Sequence, residues 1–375
     1  MTLSRRDFIK LAGLGAGAMA LRPFNRILPA LPWEEFPKGD RLGRPLATLD
    51  YRTSPRIDYP PQAKVYEDQV VQILREVVAS SKDLNLINQR WFETPNGYLQ
   101  ADYVQPVRNL PNEPVKALPT GKNGFWAEVT VPYVDLFMDN APPRSPWAKD
   151  IIGIQKNPRL YYLQVVWIDQ VKIGDSGQPL YRFNEDGGRP TGVTGGSYGD
   201  LFWGDGRAFR ILTADDVTPI SPNVDPATKK VVVHAGREEQ YVSCYEGQTE
   251  VYYCKCSTGY VIPDDTEADK STPTGDYQTW RKTFSIHMSA GTTGAGYDTP
   301  GISWTNFFAG SGIAIHAAFW HNQFGMQRSH GCVNVAPEDA KWICRWTSPS
   351  LSFDNADITI SGEGGTHVIV TQRSE

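Results

Sequence analysis

Five cysteines in 375 residues are too few to staple the chain. Their odd number leaves at least one thiol unpaired or bonded to another molecule. Cys254-Lys255-Cys256 lacks the two-residue gap of a zinc knuckle or a thioredoxin-like pair, and no matching Cys/His pair lies nearby. Positive charge is also scarce. The net charge is -5 and no basic run is present, which excludes tracking of a phosphate backbone and with it a nucleic-acid partner. Long apolar runs are missing, since Leu11 to Leu21 reaches only about half of the ~20 residues that span a bilayer, so no stable membrane span is expected. What is present in quantity is Gly (34), Pro (28), Tyr (17) and Trp (11), together with many short Val/Tyr/Trp-rich runs. That combination predicts a mainly β protein with many turns. At roughly 100–200 residues per domain the length predicts two or three domains, each able to bury a core.

The N-terminus reads as an address. Ser4-Arg5-Arg6-Asp7-Phe8-Ile9-Lys10 precedes a Gly/Ala-rich apolar run, and Ala18-Met19-Ala20 fits the small-x-small pattern of a cleavage site. The pattern resembles a twin-arginine export signal over 1–21, which places the mature protein outside the cytoplasmic membrane, periplasmic or wall-associated. An amphipathic N-terminal helix is the poorer reading, because Leu11 to Gly17 has no polar face and several glycines.

Residues 22–60, rich in Pro and Arg and without periodicity, read as a linker. A first compact unit is expected over 61–110, with Trp91-Phe92-Glu93 and Gly97-Tyr98-Leu99-Gln100 among its strands and Tyr103 to Val107 closing it. A related pattern recurs over 125–220. There Tyr181-Arg182-Phe183-Asn184 answers the first aromatic strand and Asp216 to Ile220 the closing segment. This internal repeat resembles two bacterial SH3-like β-barrels, set against the alternative of two unrelated β-rich segments. The third unit spans 229–371. It opens on a strand, a hairpin turning at Glu246-Gly247 and a strand to Cys256, has a short helix from Pro337 to about Trp346, and ends on Thr366 to Val370.

Chemistry concentrates in this unit. A thiol is a useful nucleophile near neutral pH only when a base removes its proton or its thiolate is stabilised. Cys332 has His330 two residues before it and His316 sixteen positions upstream, and Gly331 allows a tight turn that aims neighbouring amides at one point. A His-Gly-Cys tripeptide alone is weak evidence, since a buried cysteine beside a chance histidine is the commoner event. The longer arrangement, His316 with Ser329-His330-Gly331-Cys332-Val333-Asn334, resembles the L,D-transpeptidase catalytic domain family. Upstream, Gln240-Tyr241, Glu246-Gly247, Ser257-Thr258-Gly259 and Thr272-Pro273-Thr274-Gly275 follow the family's landmarks in order.

The resemblance implies a β-sandwich catalytic domain with a short helix, acting on peptidoglycan stem peptides. By it Cys332 is the nucleophile and His316 the proton acceptor and donor, oriented by the Ala317 backbone carbonyl. The amides about Gly331 would receive the oxyanion, and His330, Ser329 and Asn334 would line the substrate site, although Asn334 stands where the family often has Arg. No cofactor is implied and a monomer is expected. A metal held by His316, His321 and His330 matches no ligand spacing. His287 and His321 are candidates to border a groove; His234 and His367 read as structural or surface residues. The acyl acceptor stays open between a stem amine, a protein lysine and water, so L,D-carboxypeptidase and protein-attachment activities remain alternatives. A non-catalytic wall-binding protein is the rival of another class. A papain-like peptidase lacks its surroundings here.

Overall fold

The computed structural model describes residues 33–372 apart from 80–81, 83–87, 140, 186, 188–198, 238, 261–269, 291–296 and 354–355. Residues 1–21, read above as an export signal, and the loop Gly291 to Gly296 lie outside the described residues. The protein is mainly β, as its composition predicts.

From residue 229 two five-stranded sheets share one core. In Lys229–Ala235 every second residue is buried, so one face of the strand must be covered. It pairs antiparallel with Gln240–Glu246, which turns through Gly247 (φ +62°) into Thr249–Lys255. The C-terminal strand His367–Thr371 returns beside it in parallel, bringing Val231 to Val368 and Val233 to Val370. Gly275–Gln278 completes this sheet.

The second sheet is ordered Val333–Val335, Ile313–Ala317, Tyr297–Ala309, Arg281–Ala290 and Asp357–Thr359. Its long central strand is buried almost throughout, on both faces. The helix Pro337–Trp346 begins on Pro337 with Glu338 and Asp339 in its first turn, and its Ala340, Ile343, Cys344 and Trp346 are buried in the common core. At its other end the Lys282 ammonium donates to the carbonyls of Cys344 and Thr347, and Lys229 to that of Trp346. Two cations thus meet the negative end of the helix, although burial pushes Lys282 down to about 8.

Residues 42–107 form a three-stranded and a five-stranded sheet around a core of Tyr51, Val65, Ile73, Phe92, Leu99 and Val104. This corrects the expectation of a linker over 22–60, because Leu42–Pro45 and Leu49–Arg52 are strands of this unit. Gly43, Arg44 and Pro45 read as loop residues. Yet Arg44 is buried in a strand, its charge met by Asp68 at 2.7 Å. In 125–211 a six-stranded antiparallel sheet closes around Phe125, Tyr181, Phe183, Phe202 and Phe209.

Each unit ends in the same device. Gly97–Gln100 runs through the 3₁₀ turn Ala101–Tyr103 into Val104–Val107, and Leu201–Asp205 runs through Gly206–Ala208 into Phe209–Ile211. The strands of the second unit therefore end at Ile211, before the Asp216 to Ile220 segment. Asp216 and Val217 instead end the short helix Ala214–Val217, capped by reciprocal Thr213 and Asp216 bonds.

One residue of the first unit carries a stability prediction. The Asp102 carboxyl is buried, which raises it to about 6, against the opposing pull of its Asn88 hydrogen bond and of Arg90 and Lys255. The folded state therefore binds the extra proton between about pH 4 and 6, and stability falls as pH rises through that window. Two pH units correspond to roughly 3 kcal/mol. Asp102→Asn is expected to match wild type in denaturant titrations at pH 4 and to exceed it by about 1–3 kcal/mol at pH 7.5. No gain at pH 7.5 would refute this account.

Candidate active site

Adjacent parallel strands bring the two halves of the sequence motif together. Ile315 pairs with Val333 and His316 with Asn334, so the His316 strand lies directly beside the strand that follows Cys332. Both side chains line one cavity of about 210 Å³, whose walls also include Met288, Tyr297, Ile302, Trp320, Arg328 and His330.

The His316 ring is almost fully buried and donates from Nδ1 to the Ala317 carbonyl at 3.0 Å. The tautomer this fixes leaves the Nε2 lone pair available as a base. Burial pushes the imidazole down to about 4, against the Ala317 bond, so it is neutral at physiological pH. Cys332 is half-buried, with Sγ 3.8 Å from the Gly312 carbonyl. Burial pushes its thiol up to about 11, while a hydrogen bond from the Ala314 backbone pulls the other way. Both shifts favour the neutral forms of the two groups that line this cavity.

The turn that presents Cys332 is held by the residues the sequence marked as landmarks. Gly331 takes φ +120°, open to glycine and strained for other residues. Thr272 Oγ1 donates to the Gly331 carbonyl at 2.8 Å and accepts from the Gly259 amide at 2.9 Å. Gly259 itself has no room for a side chain, because a Cβ there would sit 1.8 Å from the Lys270 carbonyl. The Gln240 side chain accepts from the Thr258 amide, whose carbonyl receives the amides of Arg328 and Ser329.

Ser329 is buried and donates to the Cys332 carbonyl. Its Oγ also accepts from the Gly331 amide at 3.1 Å. In the resting arrangement the Gly331 amide is therefore engaged. Its N–H is committed to the serine and does not stand free for an oxyanion, because a hydroxyl two residues upstream reaches it first.

The remaining candidates separate clearly. His330 lies on the cavity wall between the rings of Tyr260 and Tyr297, at 5.3 and 5.5 Å, and burial with nearby Lys270 lowers it. Asn334 lines the cavity, and its side chain meets His321 Nε2 at 3.1 Å. His321 accepts at Nδ1 from the Gln323 amide, and burial pushes it down to about 3, so the neutral ring carries its proton on Nε2. That proton calls for the Asn334 amide oxygen, which otherwise is buried without a partner. Asn334 therefore orients His321, and His321 supports the loop instead of bordering a groove.

His287 is likewise buried, bonded to Asp298, whose other oxygen accepts from the Trp147 amide at 2.8 Å. His234 stacks on Tyr241, and His367 is bonded to Asp276. Among the described residues no group of three His, Cys, Asp or Glu side chains is placed to hold a metal ion. All five cysteines are free thiols. Tyr297, Trp320 and Arg328 were not singled out from the sequence. An isolated aromatic or arginine carries no spacing signal, and only the folding of strands from distant segments brings them to the cavity.

The family model for YkuD, the L,D-transpeptidase catalytic domain, matches residues 229–370. This unit has the L,D-transpeptidase fold. No curated protein matches the chain. Among solved structures the chain is similar to the C442S mutant of an Enterococcus faecium L,D-transpeptidase, at 21% identity and TM-score 0.29, covering 38% of this chain and 50% of that one. It is also similar to an L,D-transpeptidase from Mycobacterium smegmatis, at 16% identity and TM-score 0.30, covering 52% and 90%. A third is the catalytic domain of the E. faecium enzyme acylated by ertapenem, at 19% identity and TM-score 0.27, covering 39% and 98%. The chain thus spans about half the length of the first of these. Among the described residues no helix is long and apolar enough to cross a membrane.

Proposed function

We propose that the L,D-transpeptidase domain cross-links peptidoglycan stem peptides by acyl transfer through Cys332. The observation that carries this reading is the tautomer of His316. Its Nδ1 proton is spent on the Ala317 carbonyl, so Nε2 is left as a base on the cavity that Cys332 also lines. In the first half-reaction the Cys332 sulfur attacks the carbonyl carbon of the bond after the third residue of a tetrapeptide stem, and the thiol proton passes to His316 Nε2. Collapse of the tetrahedral intermediate breaks the C–N bond, and the imidazolium returns the proton to the departing D-alanine amine. In the second half-reaction the side-chain amine of another stem attacks the thioester and gives up a proton to His316. The thiol leaves and takes that proton back. Water or a protein lysine as acceptor follows the same steps.

Two further readings attach to the rest of the chain. The units at 42–107 and 125–211 are SH3-like modules that position the domain on its polymer, supported by their matching strand, 3₁₀ turn and closing strand. The leader with Arg5-Arg6 exports the folded protein by the twin-arginine route, in keeping with a substrate that lies outside the cytoplasmic membrane.

A carbapenem tests the nucleophile. Intact-mass spectrometry of folded, reduced protein should show one covalent adduct on Cys332, absent from Cys332→Ala; no adduct on wild type would overturn the enzymatic reading. Incubation with tetrapeptide-stem muropeptides then separates the acceptors by product: dimers for a stem amine, shortened stems for water.

A further inference from the structure

Loops ordinarily run over the surface, because buried backbone needs partners. The segment 318–324, which follows the His316 strand, is an exception. Phe319, His321, Asn322, Gln323 and Phe324 are all buried, and only Trp320 is open, on the wall of the Cys332 cavity. Its inner side is held by the catalytic domain, through the Ala318 amide on the Val335 carbonyl and Ser257 Oγ on the Gln323 carbonyl. Its outer side is held by the first β unit, more than two hundred residues away in sequence. There the Asn322 side chain donates to the carbonyls of Ala101 and Val104 at 2.9 and 3.1 Å, and its backbone amide to that of Asp102. Arg44 donates to the Phe319 carbonyl at 2.6 Å.

Arg44 is itself fixed. It forks onto Gln105 Oε1 at 2.8 and 3.0 Å, pairs with Asp68 at 2.7 Å, and lies 4.0 Å from the centre of the Tyr161 ring. Tyr161, from the second unit, stacks on Phe319 at 5.3 Å. A planar guanidinium can satisfy these directions together; an ammonium cannot. Phe319 then packs edge-on against Trp320 at 5.1 Å, and Trp320 lies 5.9 Å from the His316 ring.

We propose that Arg44 and Asn322 are positioning residues for acyl transfer: the first β unit clamps the 318–324 loop and so fixes Trp320 as the wall against which the acyl donor binds. The inference rests on the acyl-transfer reading above. It gives the N-terminal unit a direct part in shaping the active site, independent of any affinity for the wall.

The test compares wild type, Arg44→Lys, Asn322→Ala and the control Arg75→Gln, which breaks a surface ion pair with Glu93 in the same unit. Carbapenem acylation is resolved into KI and kinact, and Cys332 alkylation by iodoacetamide is timed in parallel. Both clamp variants should raise KI about tenfold, with kinact changed less than threefold and faster backbone hydrogen exchange over 318–324. A merely structural role would lower the active fraction and leave KI alone. Asn322→Ala keeps the buried cation pair intact and so serves if Arg44→Lys folds poorly. Wild-type KI in Asn322→Ala, with exchange over 318–324 accelerated, overturns the proposal. If wild type takes no carbapenem, the acyl-transfer reading fails, and the clamp is judged by iodoacetamide: several-fold faster alkylation in the variants supports it and an unchanged rate overturns it.

Discussion

His316→Gln is expected to slow carbapenem acylation at pH 7 by about 10²–10⁴-fold, the range that a positioned base contributes. The larger signature is the pH profile. In wild type the imidazole sits near 4 and the thiol near 11, each displaced by burial. The reacting form, neutral imidazole with neutral thiol, therefore prevails across the interval between them, and kinact/KI should be flat from about pH 5 to 10. Its acid limb should fall as His316 is protonated near 4. Without the base only the thiolate reacts, and its population rises tenfold per pH unit up to the thiol's own ionisation. His316→Gln should thus turn a plateau into a line of unit slope that approaches wild type near pH 11. A variant that kept the plateau would show that another group removes the proton. A wild-type profile with an acid limb near 6–7 would show that the resting pair is a thiolate beside an imidazolium.

The largest stability loss is expected at a residue remote from the cavity. Phe284 is 1% exposed and meets Trp126 at 5.3 Å, Trp304 at 5.2 Å and Phe353 at 6.4 Å, each edge-on or steeply tilted. It stands where the second unit docks on the catalytic domain, whose strand 297–309 also receives the Val165 amide on Ser303 Oγ and the Gln164 side chain on the Pro300 carbonyl. Phe284→Ala removes the ring's transfer free energy and leaves a cavity among stiff aromatic neighbours that cannot collapse into it. A loss of about 3–5 kcal/mol is expected, read from the denaturant midpoint at unchanged slope. Such a loss approaches the whole stability of a small domain, so carbapenem acylation at 25 °C should persist at a normal rate in the fraction that stays folded. A loss under about 1 kcal/mol would mean that the two units are not energetically joined at this ring.

The residues dealt with by local rules were legible. The Pro337 helix start, the Gly247 hairpin and the strand that opens at Lys229 depend on neighbours in sequence, and each has the predicted form. The pair of His316 and Cys332 was legible for another reason, since one spacing joins two adjacent parallel strands. Local rules failed where a distant partner overrode them. Leu42–Pro45 contains Gly, Arg and Pro and still forms a strand, because Val104–Val107 and Val71–Gln72 pair with it on both sides. Asp216 to Ile220 has the look of a closing strand, but the Asp216 carboxylate is drawn to Arg210 and Lys341 and caps a helix.

By itself the sequence determined the β-rich class and the motif that sets a histidine and a thiol sixteen residues apart, because these follow from residue type and short-range order. The tertiary structure alone decided what those groups are at rest. Burial pushes the imidazole down and the thiol up, a serine hydroxyl takes the Gly331 amide, and Arg44 reaches across three units to hold the wall of the cavity. Desolvation and hydrogen-bond competition depend on what packs around a group, and that is known only once strands far apart in the chain have met.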